Sequence, residues 1–122
     1  MKAFLFVFLG SGIGGALRYG ISLAFVSVYP LKFPLPTFIA NIIAAFLVGL
    51  FYALAIEKSW VDRGYILLLT TGLCGGLSTF SAFSYETMKL WQGHQYLMSV
   101  VYVGLSVIAC LVFTFIGSKV IQ

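Results

Sequence analysis

Hydropathy leaves this chain one solvent to fold in. Four apolar stretches follow one another with little between them: Ala3 to Val28, Leu35 to Ile56, Gly64 to Gln92 and Tyr96 to Gly117. A helix of about 20 apolar residues crosses the ~30 Å hydrocarbon core of a bilayer. Of 122 residues, 61% are hydrophobic and 8% charged, and mean hydropathy is +1.09. A soluble domain carries about 25% charged residues, and so short a chain cannot hide this much apolar surface from water. The expected fold is an all-α integral membrane protein, a single domain over residues 1–122 with four transmembrane helices in the lipid bilayer.

The turns between spans are short. Pro30, Pro34 and Pro36 break the chain around Lys32, because proline removes a donor and biases its predecessor toward extended backbone. Glu57 to Arg63 form a polar turn, and Gly93, His94 and Gln95 make the last one. The opening run after Met1 and Lys2 continues past Gly15 to about Val28, with no A-x-A-like cleavage site. It is too long for a signal-peptide core and is expected to be a retained helix.

The net charge of +4 comes from scattered Lys and Arg, which fits lipid headgroups rather than a nucleic-acid patch. One membrane face would hold Lys2, Lys58, Arg63 and Lys119. The other would hold Lys32 and Lys89, joined by Arg18 if it reaches its nearer end. A difference of one or two positive charges is a weak orientation signal. It is compatible with insertion both ways and with pairing of opposite copies as an antiparallel homodimer. Cys74 and Cys110 both lie in apolar stretches without a C-x-x-C or a neighbouring ligand, so neither a disulfide nor a metal site is expected from them.

Several residues within the spans need an explanation. Gly10, Gly12 and Gly15 form a formal G-x-G-x-x-G, but no acidic residue appears before Glu57, so a dinucleotide site is not expected. Gly10 with Gly14, and Ser11 with Gly15, read instead as small-xxx-small pairs for close helix contact. Arg18 is a cation within a span, costing at least about 2.5–3.5 kcal/mol at mid-depth. It either snorkels to the interface or draws an anion into a wet vestibule. Asn41, mid-depth in the second span, needs a partner that hydrocarbon cannot supply. It is interhelical glue, a pore-lining donor or a brace for a broken helix. In the fourth span Tyr102, Ser106 and Thr114 fall on one side of a helix. A polar pore track would look like this, and so would ordinary interhelical bonding.

The most informative stretch runs from Thr70 through Gly75, Gly76 and a series of hydroxyls to Glu86. Glycine weakens helices, and Ser and Thr offer the backbone competing bonds. The third helix is therefore expected to break mid-membrane near Gly75 to Thr79. Unwound backbone survives there only against protein, water or ions. Ser81 and Ser84 share one face beyond the break, and Phe80 and Phe83 a neighbouring one. A merely kinked helix is the alternative.

The whole chain resembles the Fluc (CrcB) family of fluoride channels. The resemblance rests on Gly15-Ala16-Leu17-Arg18-Tyr19, on Thr37 to Asn41 with Gly49 following, and above all on Thr71-Gly72-Leu73-Cys74-Gly75-Gly76-Leu77-Ser78-Thr79-Phe80-Ser81-Ala82-Phe83-Ser84-Tyr85-Glu86. Members usually carry Thr-Thr-Phe-Ser-Thr-Phe, where this chain has Ser78-Thr79-Phe80-Ser81-Ala82-Phe83. A hydroxyl is thus absent at Ala82. The resemblance implies an antiparallel, dual-topology homodimer with two pores in a bacterial inner or plasma membrane. It implies passive export of fluoride to limit its toxicity, with no enzymatic activity. Phe80 and Phe83 would turn ring edges to fluoride, and Asn41 would brace or line the path. Ser81, Ser84 and Thr114, with Tyr102, would form the polar track, and Arg18 and Glu86 would lie toward the vestibules. A structural sodium at the dimer centre would be held by the Gly75 and Ser78 carbonyls of both copies.

Physical chemistry is compatible with this expectation. A strongly hydrated anion needs several donors in place of water. Ring edges carry partial positive charge, hydroxyls and amides donate more strongly, and a fixed cation adds positive potential. Two other classes fit less well. A small multidrug-type transporter needs a carboxylate in its first helix, where this chain has Arg18 instead. A non-conducting structural membrane protein leaves the helix break without purpose. No nucleophile–base pair or metal cluster suggests an enzyme.

Overall fold

The computed structural model describes residues 1–26, 33–59 and 61–122. Pro30, Lys32, the expected end of the first span at Val28, and Trp60 in the second turn lie outside the described residues. The elements are α1 (Lys2–Val26), α2 (Leu35–Glu57), α3 (Arg63–Leu67), a π-helical turn (Leu68–Cys74), α4 (Gly75–Leu77), α5 (Phe80–Gln92) and α6 (Tyr96–Lys119). Among the described residues, four helical spans are long and apolar enough to cross a membrane, the third running from Arg63 to Gln92. That span is built from α3, the π turn, α4 and α5.

Local chemistry sets the ends. Pro36 sits in the first turn of α2, where a missing N–H costs nothing. Asp62 caps α3 by accepting from the Gly64 N–H at 2.6 Å, and Thr79 caps α5 by accepting from the Ala82 N–H at 3.1 Å. Both supply a partner to an amide that the helix itself leaves open.

The helices pack as two close pairs. On one side α1 lies along the first half of the third span, and on the other α2 lies along α6. Small residues set both distances. A Cβ added at Gly14 would meet the Leu77 nitrogen at 2.7 Å, and one at Gly76 would meet the Ser11 Cα at 2.9 Å. In the second pair, a Cβ at Gly49 would lie 3.0 Å from the Ser118 nitrogen, and one at Gly117 3.1 Å from the Leu50 nitrogen. Where hydrocarbon surrounds the helices, such contact replaces the hydrophobic effect as the main attraction. Gly10 and Gly14 are the buried residues of α1, so the first small pair packs as expected. Gly15 has nothing within 4 Å of an added Cβ, so in the second pair only Ser11 meets the third span. The common centre is small: Ala40, Ala44, Cys74 and Leu77, flanked by Ile21, Leu47, Val48 and Phe51. Outward positions such as Phe4, Phe8, Leu97, Ile108 and Leu111 are exposed, the pattern of a lipid-facing surface.

The third span does break mid-length, but not at its glycines. Gly75 and Gly76 remain in α4. The chain leaves the helix only at Ser78 (φ −76°, ψ 156°) and Thr79 (φ −152°, ψ 120°), both extended. Glycine's helix-weakening tendency is overridden at Gly76 because α1 presses against that turn. The hydroxyl residues, which bond locally, take the break.

Candidate functional site

The break is held open by one side chain. In a continuous helix the Thr79 N–H would bond the Gly75 carbonyl. Here it donates to Asn41 Oδ1 at 2.8 Å, and Asn41 Nδ2 donates to the Thr79 carbonyl at 3.3 Å. The amide of α2 thus replaces one helical rung with a two-bond clamp on Thr79, which identifies Asn41 as the brace of the broken helix. The Ala82 N–H, the helical partner of the Ser78 carbonyl, is taken by Thr79 Oγ1. The Gly75 and Ser78 carbonyls therefore leave the helical ladder together. A third carbonyl at the break, Gly76, accepts from Arg18 Nε at 3.1 Å. Arg18 thus reaches sideways from α1 to the third span, a use that neither snorkelling nor anion capture anticipated.

Beside the break lies a cavity of about 430 Å³ whose walls include Asn41, Gly75, Ser78, Thr79, Phe80 and Thr114. Cys74 and Cys110 also line it, both as free thiols. Phe80 is 78% exposed, and Gly75 is exposed with nothing within 4 Å of an added Cβ. The cavity therefore opens outward from the helix bundle. Freed carbonyl oxygens at a mid-membrane break are the donor type that holds an alkali cation. Among the described residues no cluster of His, Cys, Asp or Glu is suited to a metal ion.

A second polar constellation sits toward one end of the bundle. Glu86 accepts from Thr37 Oγ1 at 2.7 Å and from the Tyr102 hydroxyl at 2.8 Å. Thr37 and Tyr102 are buried. The carboxylate is thus bonded to both α2 and α6, and its partners among the described residues are hydroxyl donors. The Tyr102 ring lies 5.2 Å from that of Phe83, tilted by 44°, and Phe83 lies 5.5 Å from Phe80. The two phenylalanines are neighbours, as their spacing predicted.

The expected path residues fall into three places. Asn41, Phe80 and Thr114 meet at the mid-depth cavity. Phe83 and Ser84 line a separate shallow groove with Ser99. Tyr102 belongs to the Glu86 constellation. Ser81 and Ser84 are exposed, with Ser81 3.2 Å from Thr79 Oγ1 and Ser84 donating to the Phe80 carbonyl at 2.9 Å. Ser106, on the buried side of α6 with Tyr102, carries a buried hydroxyl without a partner among the described residues. Thr37 was not anticipated as a Glu86 partner. Its position four residues before Asn41, on the same helix face, was the signal available.

Comparison with known proteins places the chain in a family. The model of the CrcB-like protein, Camphor Resistance (CrcB), family matches residues 5–118. A fluoride-specific ion channel FluC of Azobacteroides pseudotrichonymphae genomovar. CFP2 is 38% identical over 109 residues, covering 89% of this chain and 87% of the relative. The proteins of that name from Flavobacterium psychrophilum and Pyrococcus abyssi are each 39% identical over 117 residues, covering 96% of this chain and 94% of theirs. With four membrane-crossing helices and a family match over nearly its whole length, the chain is a multi-pass membrane protein that belongs to the CrcB family.

Proposed function

We propose that this protein is a fluoride-selective channel. It lets fluoride leave the cell passively through a bacterial inner or plasma membrane and so limits its toxicity. The observation that carries the reading is the clamped break at Ser78 and Thr79 in the wall of a cavity lined by Asn41, Phe80 and Thr114. Support also comes from relatives named as fluoride-specific ion channels. A conducting path asks for positioned donors, not for a nucleophile, and the residues gathered here are amide, hydroxyl and ring-edge groups.

The working unit in this reading is a homodimer. Freed carbonyls and hydroxyls opening outward at mid-depth cannot face lipid, which offers no hydrogen bonds. A second copy covers them. The weak charge asymmetry favours an antiparallel, dual-topology pair, and two such copies make two pores. Phe80, exposed in a single copy, then turns its edge into the shared path. Phe83, Ser81 and Ser84 continue the path beyond the break, Thr114 and Tyr102 add hydroxyls from α6, and Arg18 and Glu86 stand toward the vestibules.

A structural sodium fits the donor set. The Gly75 and Ser78 carbonyls, released from the ladder by Asn41 and by the Thr79 cap, would hold it together with the same pair from the partner. When bound it supplies a fixed positive potential to both pores. Asn41 keeps the Gly75 carbonyl free by occupying the Thr79 N–H that would otherwise return to it.

Anion efflux from liposomes holding the purified protein tests the function. Fluoride is expected to leave rapidly while chloride stays. Equal efflux of both ions would refute selectivity, and retention of both would refute the channel.

A further inference from the structure

A second cavity, also of about 430 Å³, opens at the end of the bundle where α5 turns into α6 and α2 begins. Phe33, Glu86, Lys89, Gly93 and Gln95 line it. It shares no lining residue with the mid-depth cavity, yet an unbroken row of contacts joins the two. Glu86 bonds the Tyr102 hydroxyl, the Tyr102 ring touches Phe83, Phe83 touches Phe80, and Phe80 lines the mid-depth cavity.

Lys89 is the one cation among the described residues of that wall. It belongs to the last turn of α5, nearly a turn beyond Glu86 and closer to water. Its Nζ sits 5.7 Å from the Tyr85 ring centroid, and both side chains are exposed. The Glu86 carboxylate accepts from Thr37 and Tyr102, which bonds it inward to α2 and α6. Lys89 is thus the exposed charge at this opening and Glu86 the partly buried one.

Resting on the channel reading, we infer that Lys89 gathers small monovalent anions at one mouth of the conduction path. A fixed cation on the low-dielectric wall of a cleft raises local anion concentration. It acts on arrival, from a distance and without dehydrating the ion. It therefore sets throughput at sub-saturating fluoride and leaves selectivity to the deeper donors. Salt screens it, because the Debye length falls from about 30 Å at 0.01 M to about 3 Å at 1 M.

The test is fluoride efflux from liposomes at sub-saturating fluoride, run in low and in high concentrations of an impermeant salt. Lys89→Gln is expected to slow efflux at low ionic strength, and Lys89→Glu to slow it further toward a limit of about twofold, because an antiparallel pair turns only one of its two Lys89 mouths to the liposome interior. Both should return to the parent rate in about 1 M salt. Lys119→Gln, at the far end of α6, should match the parent in both conditions. Size-exclusion profiles identify folded material. Parent-like efflux for both Lys89 variants at low ionic strength overturns the inference. So does a loss that persists in high salt, which would mark a structural role. If the unsubstituted protein passes no fluoride, the channel reading itself falls, before any variant is compared.

Discussion

The third span shows two different faces to its neighbours. Toward α1 it is closed: Gly72 and Gly76 face Gly10 and Ser11 with backbone against backbone. Toward α2 and α6 it is open: the helix parts at Ser78 and Thr79, and a cavity of about 430 Å³ stands beside the break. Small residues serve both faces to opposite ends. On the α1 side they remove space, and the contact fixes where the span stands. On the other side Gly75, Ala44 and Ala45 leave space, and the Asn41 amide keeps a carbonyl out of the ladder. One face positions the span while the other borders a cavity.

The largest effect should come from placing the same substitution on each face. Gly14→Val drives a side chain into the Leu73 carbonyl and the Leu77 nitrogen. Overpacking costs about 1–3 kcal/mol where neighbours can shift, and backbone yields least, so about 3 kcal/mol or more is expected. Folded yield in detergent should collapse. Gly75→Val meets nothing in its own protomer, so helical content should persist while dimer fraction drops. Removing sodium from the parent should reproduce part of that drop. Equal loss of fold for both variants would erase the distinction between the faces.

A smaller effect is expected at the clamp. Asn41→Leu removes both bonds to Thr79 and leaves a mid-depth N–H without its partner. That costs about 1–3 kcal/mol, readable as a lowered denaturation midpoint, with fluoride efflux falling alongside. A variant as stable and as conductive as the parent would show that the break stands without its brace. The smallest effect is expected at Gly12, on α1 but facing away from the third span, with nothing within 4 Å of an added Cβ. Gly12→Ala should leave stability unchanged or raise it by up to about 0.5–1 kcal/mol, read from the denaturation midpoint, through the helix preference of alanine.

Hydropathy made the four spans legible, because crossing hydrocarbon demands length and apolarity whatever the tertiary fold. Leu35 and Tyr96 begin their helices as expected, and the second and fourth spans run on slightly, to Glu57 and Lys119. The break fell within the expected Gly75 to Thr79 interval, at its hydroxyl end. Its location depends on α1 pressing against Gly76, a contact across more than sixty positions that no local propensity reports. The π turn at Leu68–Cys74 likewise has no signature in the residue pattern. Asn41 was legible as a residue in need of a partner, but not its partner, 38 positions away. The Thr37, Glu86 and Tyr102 constellation was hidden for the same reason, since three helices must meet before it exists.

The path itself is tested most directly at Phe80, the ring that a single copy leaves 78% exposed. The measurement is fluoride efflux per folded dimer for Phe80→Leu, with chloride efflux as control. A ring edge that binds the passing ion cannot be replaced by leucine, so fluoride efflux should fall at least about tenfold. That corresponds to losing a contact of about 1.4 kcal/mol at the barrier. The variant should still purify as a dimer. A dimeric Phe80→Leu protein passing fluoride at the parent rate would contradict a path along this face of the broken helix.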